Sequence, residues 1–122
     1  MNRTMKLAIL MALILGIFAI AASAQPEPIA GGYAKISTKS REAKNAAAVA
    51  IRQHVAAHPK EKLTLVKVLK AEQQVVAGMN YRVCLAVLDR RGVRKTITAV
   101  VYHPVNKKER LTDWTTGGCR DI

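Results

Sequence analysis

The sequence predicts an α+β domain in which one helix packs across a four- to five-stranded antiparallel sheet. The segment from Ser40 to about His58 has helical periodicity, whereas four later segments alternate with the period of two expected of strands. Short connections separate these four segments. Consecutive strands joined by short connections pair antiparallel, and a single helix must then cover one face of the sheet.

The first 24 residues have the features of a secretory signal peptide. A short basic lead precedes an apolar run over 7–20 and the small-residue cleavage signal Ala22-Ser23-Ala24. The run is shorter than the roughly 20 apolar residues of a membrane-spanning helix. We therefore expect cleavage after Ala24, leaving residues 25–122 as one exported domain without a transmembrane segment. An uncleaved N-terminal anchor is the alternative.

The chain of 122 residues carries a net charge of +12, and residues 25–122 carry +10, from 18 basic and 8 acidic residues. A charge of this size attracts polyanions. Export argues against nucleic acid as the partner, and the basic residues are dispersed with few aromatic residues between them. We interpret the charge as a solubilising surface, with binding to acidic membrane surfaces as an alternative.

Each element has its own local signals. Residues 25–32 contain two prolines and two glycines and are predicted to form a mobile arm, and 33–37 alternates like a short first strand. Ser40 is the expected helix N-cap, and Pro59 stops the helix. The predicted buried face of the helix is Ala-rich and consists of Ala43, Ala47, Ala50, Ile51 and Val55.

Four strands are predicted after the helix, over residues 63–71, 81–88, 93–103 and 109–116. The first of them is unusual because apolar residues occupy both faces of its middle. Asp89–Gly92 forms a turn and residues 104–108 a second connecting loop.

The connection between the first two of these strands contains Gln74-Val75-Val76-Ala77-Gly78. Hairpin tips are usually polar, with Asn, Asp or Ser beside the glycine. Two valines at an exposed turn place apolar surface in water. The pattern therefore indicates a tip that inserts into a pocket of a partner.

Four motifs together resemble the cystatins, protein inhibitors of papain-like cysteine proteases. Gly31-Gly32 is followed by an aromatic residue, and Ala47–Ile51 resembles the family's helix phrase, with Val49 in place of an aromatic. The hairpin Gln74–Gly78 is complete. Pro104-Val105 stands where the family has Pro-Trp.

The resemblance implies a cystatin-like fold and reversible, non-covalent inhibition of papain-family cysteine proteases. An apolar wedge would plug the active-site cleft without presenting a scissile bond. The implied protease-binding residues are Ile29, Ala30, Gly31 and Gly32 in the arm, Gln74, Val75, Val76, Ala77 and Gly78 in the first hairpin, and Pro104 and Val105 in the second loop.

Two departures from the family favour a rival interpretation. Val105 replaces an aromatic anchor, and loss of such an anchor costs on the order of 1–3 kcal/mol. Val49 also departs from the pattern. The alternative is a non-inhibitory cystatin-fold binding module of the envelope or extracellular space. We expect a monomer, and the resemblance implies a strand-swapped dimer as the other state.

Cys84 and Cys119 are the only cysteines, and export permits a disulfide between them. Cys119 is similar in position to the last cysteine of secreted animal cystatins, but Cys84 lies one strand further back than its usual partner. A bridge therefore requires the C-terminal tail to fold back, and two independent thiols are the alternative. Either way, the protein is expected to be secreted, or periplasmic if bacterial.

No enzymatic site is predicted, and no cofactor or metal is expected. His54 and His58 are four residues apart on the helix, but no acidic or cysteine ligand follows at a convincing spacing. We expect both to be solvated at the helix end. Trp114 is expected to be a core or edge residue of the last strand.

Overall fold

The structure, a computed structural model, describes residues 31–119 and 122. The elements are β1 (Tyr33–Lys35), α1 (Arg41–Ala57), β2 (Thr64–Val76), β3 (Gly78–Leu88), β4 (Arg94–His103) and β5 (Arg110–Thr116). All neighbouring strands are antiparallel, in the order β1-β2-β3-β4-β5, and α1 packs on one face. The predicted fold is confirmed. The predicted signal peptide and the arm residues Ile29 and Ala30 lie outside the described residues.

The helix begins and ends where its capping residues predict. The Ser40 hydroxyl accepts a hydrogen bond from the Ala43 backbone N–H at 3.1 Å, and the helix ends at Ala57, before Pro59. Its buried face differs from the prediction: Ile51 and Val55 are only half-buried. The residues that pack against the sheet are Ala43, Ala46, Ala47, Val49, Ala50 and His54. Four alanines on this face allow close approach to the strands.

Two irregularities in β2 explain why apolar residues occupy both of its faces. The pairing with β3 shifts between Leu65 and Lys67 and again between Val68 and Lys70. Each extra residue reverses the alternation of side chains between the two faces. Val68 and Ala71, three residues apart, therefore both enter the core beneath the helix.

The C-terminal tail folds back across the outer face of the sheet, the face away from α1. Gly117 and Gly118 adopt positive φ values of 100° and 109°, and the Gly117 N–H donates to the Thr96 carbonyl oxygen at 3.1 Å. This path crosses β4 and brings Cys119 to Cys84 on β3, with the Cα atoms 5.3 Å apart, where the two form a disulfide. Cys84 is fully buried beneath the tail.

No helix within the part of the chain that the structure describes has the length and hydrophobicity needed to span a bilayer.

Candidate functional site

Three segments that the sequence singled out lie at one end of the sheet, which we call the hairpin end. β1 begins there, with Tyr33 paired to Gln74; the β2–β3 turn projects from it; and the β4–β5 loop leaves it after His103, which pairs with Met79. Gly31-Gly32, Gln74–Gly78 and Pro104-Val105 are therefore neighbours in space although far apart in sequence. Ile29 and Ala30 lie outside the described residues.

The first hairpin is longer and tighter than the sequence predicts. β2 extends through Val76, β3 starts at Gly78, and Ala77 alone forms the tip. Val75 and Val76 are 56% and 38% exposed. Their side chains lie on opposite faces of the strand, so exposure of both means that the hairpin projects beyond the cover of the helix.

Gln74 connects the first hairpin to the arm. Its amide nitrogen Nε2 donates to the Gly31 carbonyl oxygen at 2.5 Å. Its oxygen Oε1 accepts from Asn80 Nδ2 at 2.9 Å, across the β2–β3 pair. Both polar ends of the Gln74 side chain are thus engaged, which fixes its orientation and holds the arm beside the hairpin.

Gly78 and Tyr102 connect the same hairpin to the second loop. Gly78 has a φ of 97°, and a Cβ there would clash with the His103 carbonyl oxygen and lie 3.0 Å from the Pro104 Cα. The Tyr102 hydroxyl donates to the Ala77 carbonyl oxygen at 2.5 Å. The second loop therefore packs backbone to backbone against the hairpin, and Val105 at its tip is 75% exposed.

Side chains on the outer face of the sheet also support the start of β1. Arg82 forms an ion pair with the buried Glu72, with Nη2 2.9 Å from Oε1. The Arg82 guanidinium also stacks over the Tyr33 ring, 3.9 Å from its centre. Because Arg82 is held by Glu72, it provides a fixed platform for Tyr33, next to Gly31-Gly32.

Glu109 anchors the far end of the second loop to the helix. Its carboxylate Oε1 accepts from Asn45 Nδ2 at 3.2 Å and lies 3.1 Å from His103 Nδ1. A hydrogen bond from its own backbone N–H and the Asn45 amide hold the pKa of Glu109 below its usual value, and nearby His103 adds to this. The Gln53 side chain bonds the Glu109 carbonyl oxygen and the Leu111 N–H, at 2.9 and 2.6 Å.

Sequence reasoning missed the supporting residues Asn80, Tyr102, Arg82, Glu72 and Glu109. Asn80 and Tyr102 fall on the same face as Gln74 because β2, β3 and β4 place the three directly across from one another. The correct register of β2, β3 and β4 would have identified Asn80 and Tyr102 as neighbours of Gln74. That register depended on a one-residue turn at Ala77, which the sequence analysis did not predict.

Of the two histidines expected to be solvated at the helix end, His58 is exposed as predicted, but His54 is not. His54 is buried, and its ring stacks on Trp114 with the ring centres 3.8 Å apart and on His58 at 4.3 Å. His54 Nε2 lies 2.6 Å from Glu61 Oε2. Trp114 packs against the core, as the sequence indicated. Among the residues the structure describes, no group of three or more His, Cys, Asp or Glu side chains is placed to hold a metal ion.

This fold, a helix across a five-stranded antiparallel meander with its loops gathered at one end, is that of the cystatins. The resemblance that the sequence motifs suggested is confirmed, and the chain belongs to a family of cystatin-like protease inhibitors. Its family is SQAPI, described as "Aspartic acid proteinase inhibitor", whose sequence model matches residues 36–115, well over half of the chain. No curated protein sequence matches it.

Solved structures with the same fold include a cystatin and a fetuin. Al-CPI superposes with a TM-score of 0.60 at 21% identity, over 71% of this chain and 100% of that one. A salivary cystatin from the soft tick Ornithodoros moubata gives 0.59 at 23% identity, over 73% and 99%. Mouse fetuin-B, in an inhibitory complex with human meprin beta, gives 0.62 at 17% identity, over 74% of this chain and 36% of that chain.

Proposed function

We propose that the protein is an exported, reversible, non-covalent inhibitor of papain-like cysteine proteases, which acts through the hairpin end of the sheet. One observation carries the proposal: the arm, the first hairpin and the second loop are joined there by Gln74, Gly78 and Tyr102 while Val75, Val76 and Val105 stay exposed. Apolar side chains held on a rigid edge suit insertion into a narrow cleft. Rigidity matters because a pre-ordered surface loses little entropy on binding.

Occlusion of the cleft requires no chemistry from the inhibitor. Burial of the exposed valines supplies about 25 cal/mol per Å2 of apolar surface. Gly78 allows the backbone to turn at the deepest point of the insertion. Gly31 carries a positive φ of 94°, a backbone conformation that favours glycine, at the point where the arm meets the sheet.

The second candidate target is an aspartic proteinase. It is favoured by the description of the family, whose match includes both the first hairpin and the second loop. The missing aromatic at Val105 also favours a target other than papain, because aromatic anchors dominate many interfaces. A non-inhibitory binding module is the third candidate and rests on the same departure.

The test is titration of active papain and, separately, pepsin with the protein purified after removal of residues 1–24. Two variants, Val76→Asp and Gln74→Glu, each place a negative charge in the proposed contact. Val93→Asp is the matched control because Val93 is also an exposed valine, 49% accessible, but lies at the β3–β4 turn at the other end of the sheet.

We expect saturable, reversible inhibition of papain that Val76→Asp weakens at least tenfold and Val93→Asp leaves unchanged. Inhibition of pepsin alone, with Val76→Asp as active as the parent, would assign the aspartic target and a different surface. A folded monomer that inhibits neither enzyme at high micromolar concentration would leave the binding module. Equal losses in both valine variants would contradict a localised site.

A further inference from the structure

A cavity of about 420 Å3 opens at the end of the sheet opposite the hairpin end. It lies between the segment that follows α1, the β3–β4 turn and the end of β5. Its volume falls within the ~300–1,000 Å3 that small-molecule pockets usually have. Protease inhibition as proposed above does not use it, because the two sites are separated by the length of the strands.

The floor of the cavity is apolar and pre-formed. Leu63, Val87 and Ile97 line it together with the Trp114 ring. The indole is held in place by stacking on His54, with the planes 9° apart, and His54 is itself fixed by Glu61. A ligand would therefore meet an aromatic floor that is already in place and needs no rearrangement.

The rim of the cavity is strongly basic. Five cationic side chains line it, those of Lys60, Lys62, Arg90, Arg91 and Lys95. The two carboxylates that also line it are already engaged. Glu61 bonds His54 at 2.6 Å, and Asp89 accepts from the backbone N–H groups of Arg91 and Val93 at 2.8 and 2.9 Å, with Lys95 Nζ at 3.6 Å.

Most of this positive charge is not neutralised within the protein. In the part of the chain that the structure describes, no carboxylate forms a salt bridge with Lys60, Lys62, Arg90 or Arg91. Like charges gathered around a concave, low-dielectric surface focus the field and attract an anion. An anion without an apolar part would leave the Trp114 floor wet, and a neutral apolar ligand would leave the rim unpaired.

We propose that this cavity binds a small amphipathic anion, with its apolar body on the Trp114 floor and one acidic group, a carboxylate, sulfate or phosphate, against the cationic rim. The shared chemistry is found in free organic acids and in the headgroup region of acidic lipids. The experiment separates these two sources.

Trp114 is the only tryptophan of the protein and lines the cavity, so its fluorescence reports occupancy directly. The probe is 11-bromoundecanoate, whose bromine quenches an indole on contact, and 11-bromoundecanol is its neutral counterpart. We expect saturable quenching by the acid and at least tenfold weaker quenching by the alcohol. Absence of saturable quenching by the acid, or equal quenching by the alcohol, would overturn the proposal.

Variants of matched charge separate the cavity from the overall charge. Lys62→Glu with Arg91→Glu reverses two rim residues, and Lys44→Glu with Lys67→Glu reverses two exposed lysines elsewhere. We expect the rim pair to weaken binding of the acid at least tenfold and the control pair to change it less than twofold. Equal weakening by both pairs would indicate non-specific attraction and overturn the proposal.

A vesicle-binding experiment identifies the source of the anion. Sedimentation with vesicles containing phosphatidylserine is compared between the parent, the rim pair and the control pair. Loss of vesicle binding in the rim pair alone supports the cavity with an acidic lipid as its ligand. No sedimentation of the parent, together with quenching by the free acid, supports the cavity with a soluble organic acid.

Discussion

Tyr102 on β4 donates its hydroxyl to the carbonyl oxygen of Ala77, the single residue at the tip of the first hairpin. The bond reaches past β3, because Ala77 lies between β2 and β3. The same ring has the Arg110 guanidinium 5.3 Å from its centre. The position of the tip therefore depends on a residue that is remote in sequence and lies outside the Gln74–Gly78 motif.

Replacement of Tyr102 by Phe tests whether this bond positions the hairpin for inhibition. The loss of one hydrogen bond costs about 0.5–1.5 kcal/mol, and most of that cost should appear in binding because the tip is exposed. We expect three- to tenfold weaker protease inhibition with a nearly unchanged unfolding midpoint. A drop in stability without a change in inhibition would make Tyr102 merely structural.

Gly78→Ala should disrupt the contact between the hairpin and the second loop. The new Cβ meets the His103 carbonyl oxygen in a backbone conformation that already disfavours it, a combination that costs about 1–3 kcal/mol. Gly92→Ala is the control, since Gly92 also has a positive φ, 76°, but open space around it. Urea unfolding should show destabilisation in both variants, whereas inhibition should fall only for Gly78→Ala.

Removal of the disulfide should reduce stability and spare the hairpin end. Cys84 and Cys119 are separated by 35 residues, and release of a loop of that length costs about 4 kcal/mol in the chain-entropy treatment. The variant Cys84→Ala with Cys119→Ala should unfold at a lower urea concentration but inhibit as the parent does under native conditions. Weaker inhibition by its folded form would show that the tail also positions the hairpin end.

Glu109 should make stability and inhibition fall together at acid pH. Its folded-state pKa is lowered, so its ionised form stabilises the folded protein above the ordinary value of about 4.3, and this contribution is lost as pH falls through the lowered value. Glu109→Gln should therefore lose less stability than the parent between pH 5.5 and 3.

Asp89 provides the comparison for that prediction. Its pKa is lowered chiefly by the Val93 backbone N–H, with the Arg91 N–H and nearby cations contributing, but it lies at the opposite end of the sheet. Asp89→Asn should likewise flatten the acid limb of the stability curve while leaving inhibition at neutral pH unchanged, whereas Glu109→Gln should weaken it. Equal effects of the two variants on inhibition would show that Glu109 does not position the second loop for binding.

The helix and the four later strands could be predicted from residue patterns alone. Ser40 and Pro59 mark the helix ends by local chemistry, and alternation marks the strands. The buried helix face was predicted less well, because His54 carries no hydrophobic signal and enters the core only through its stack on Trp114 and its bond to Glu61. Such burial depends on partners that come together only in the folded chain.

The sequence by itself determined the order of elements, the exposed valines of the hairpin and the family resemblance, because each is a local pattern of a few neighbouring residues. The tertiary structure decided which distant residues meet. The one-residue turn at Ala77 set the register that aligned Gln74, Asn80 and Tyr102, and two glycines carried Cys119 across β4 to Cys84. The basic cavity around Trp114 arose in the same way, since its residues come from four separate segments that only the sheet brings together.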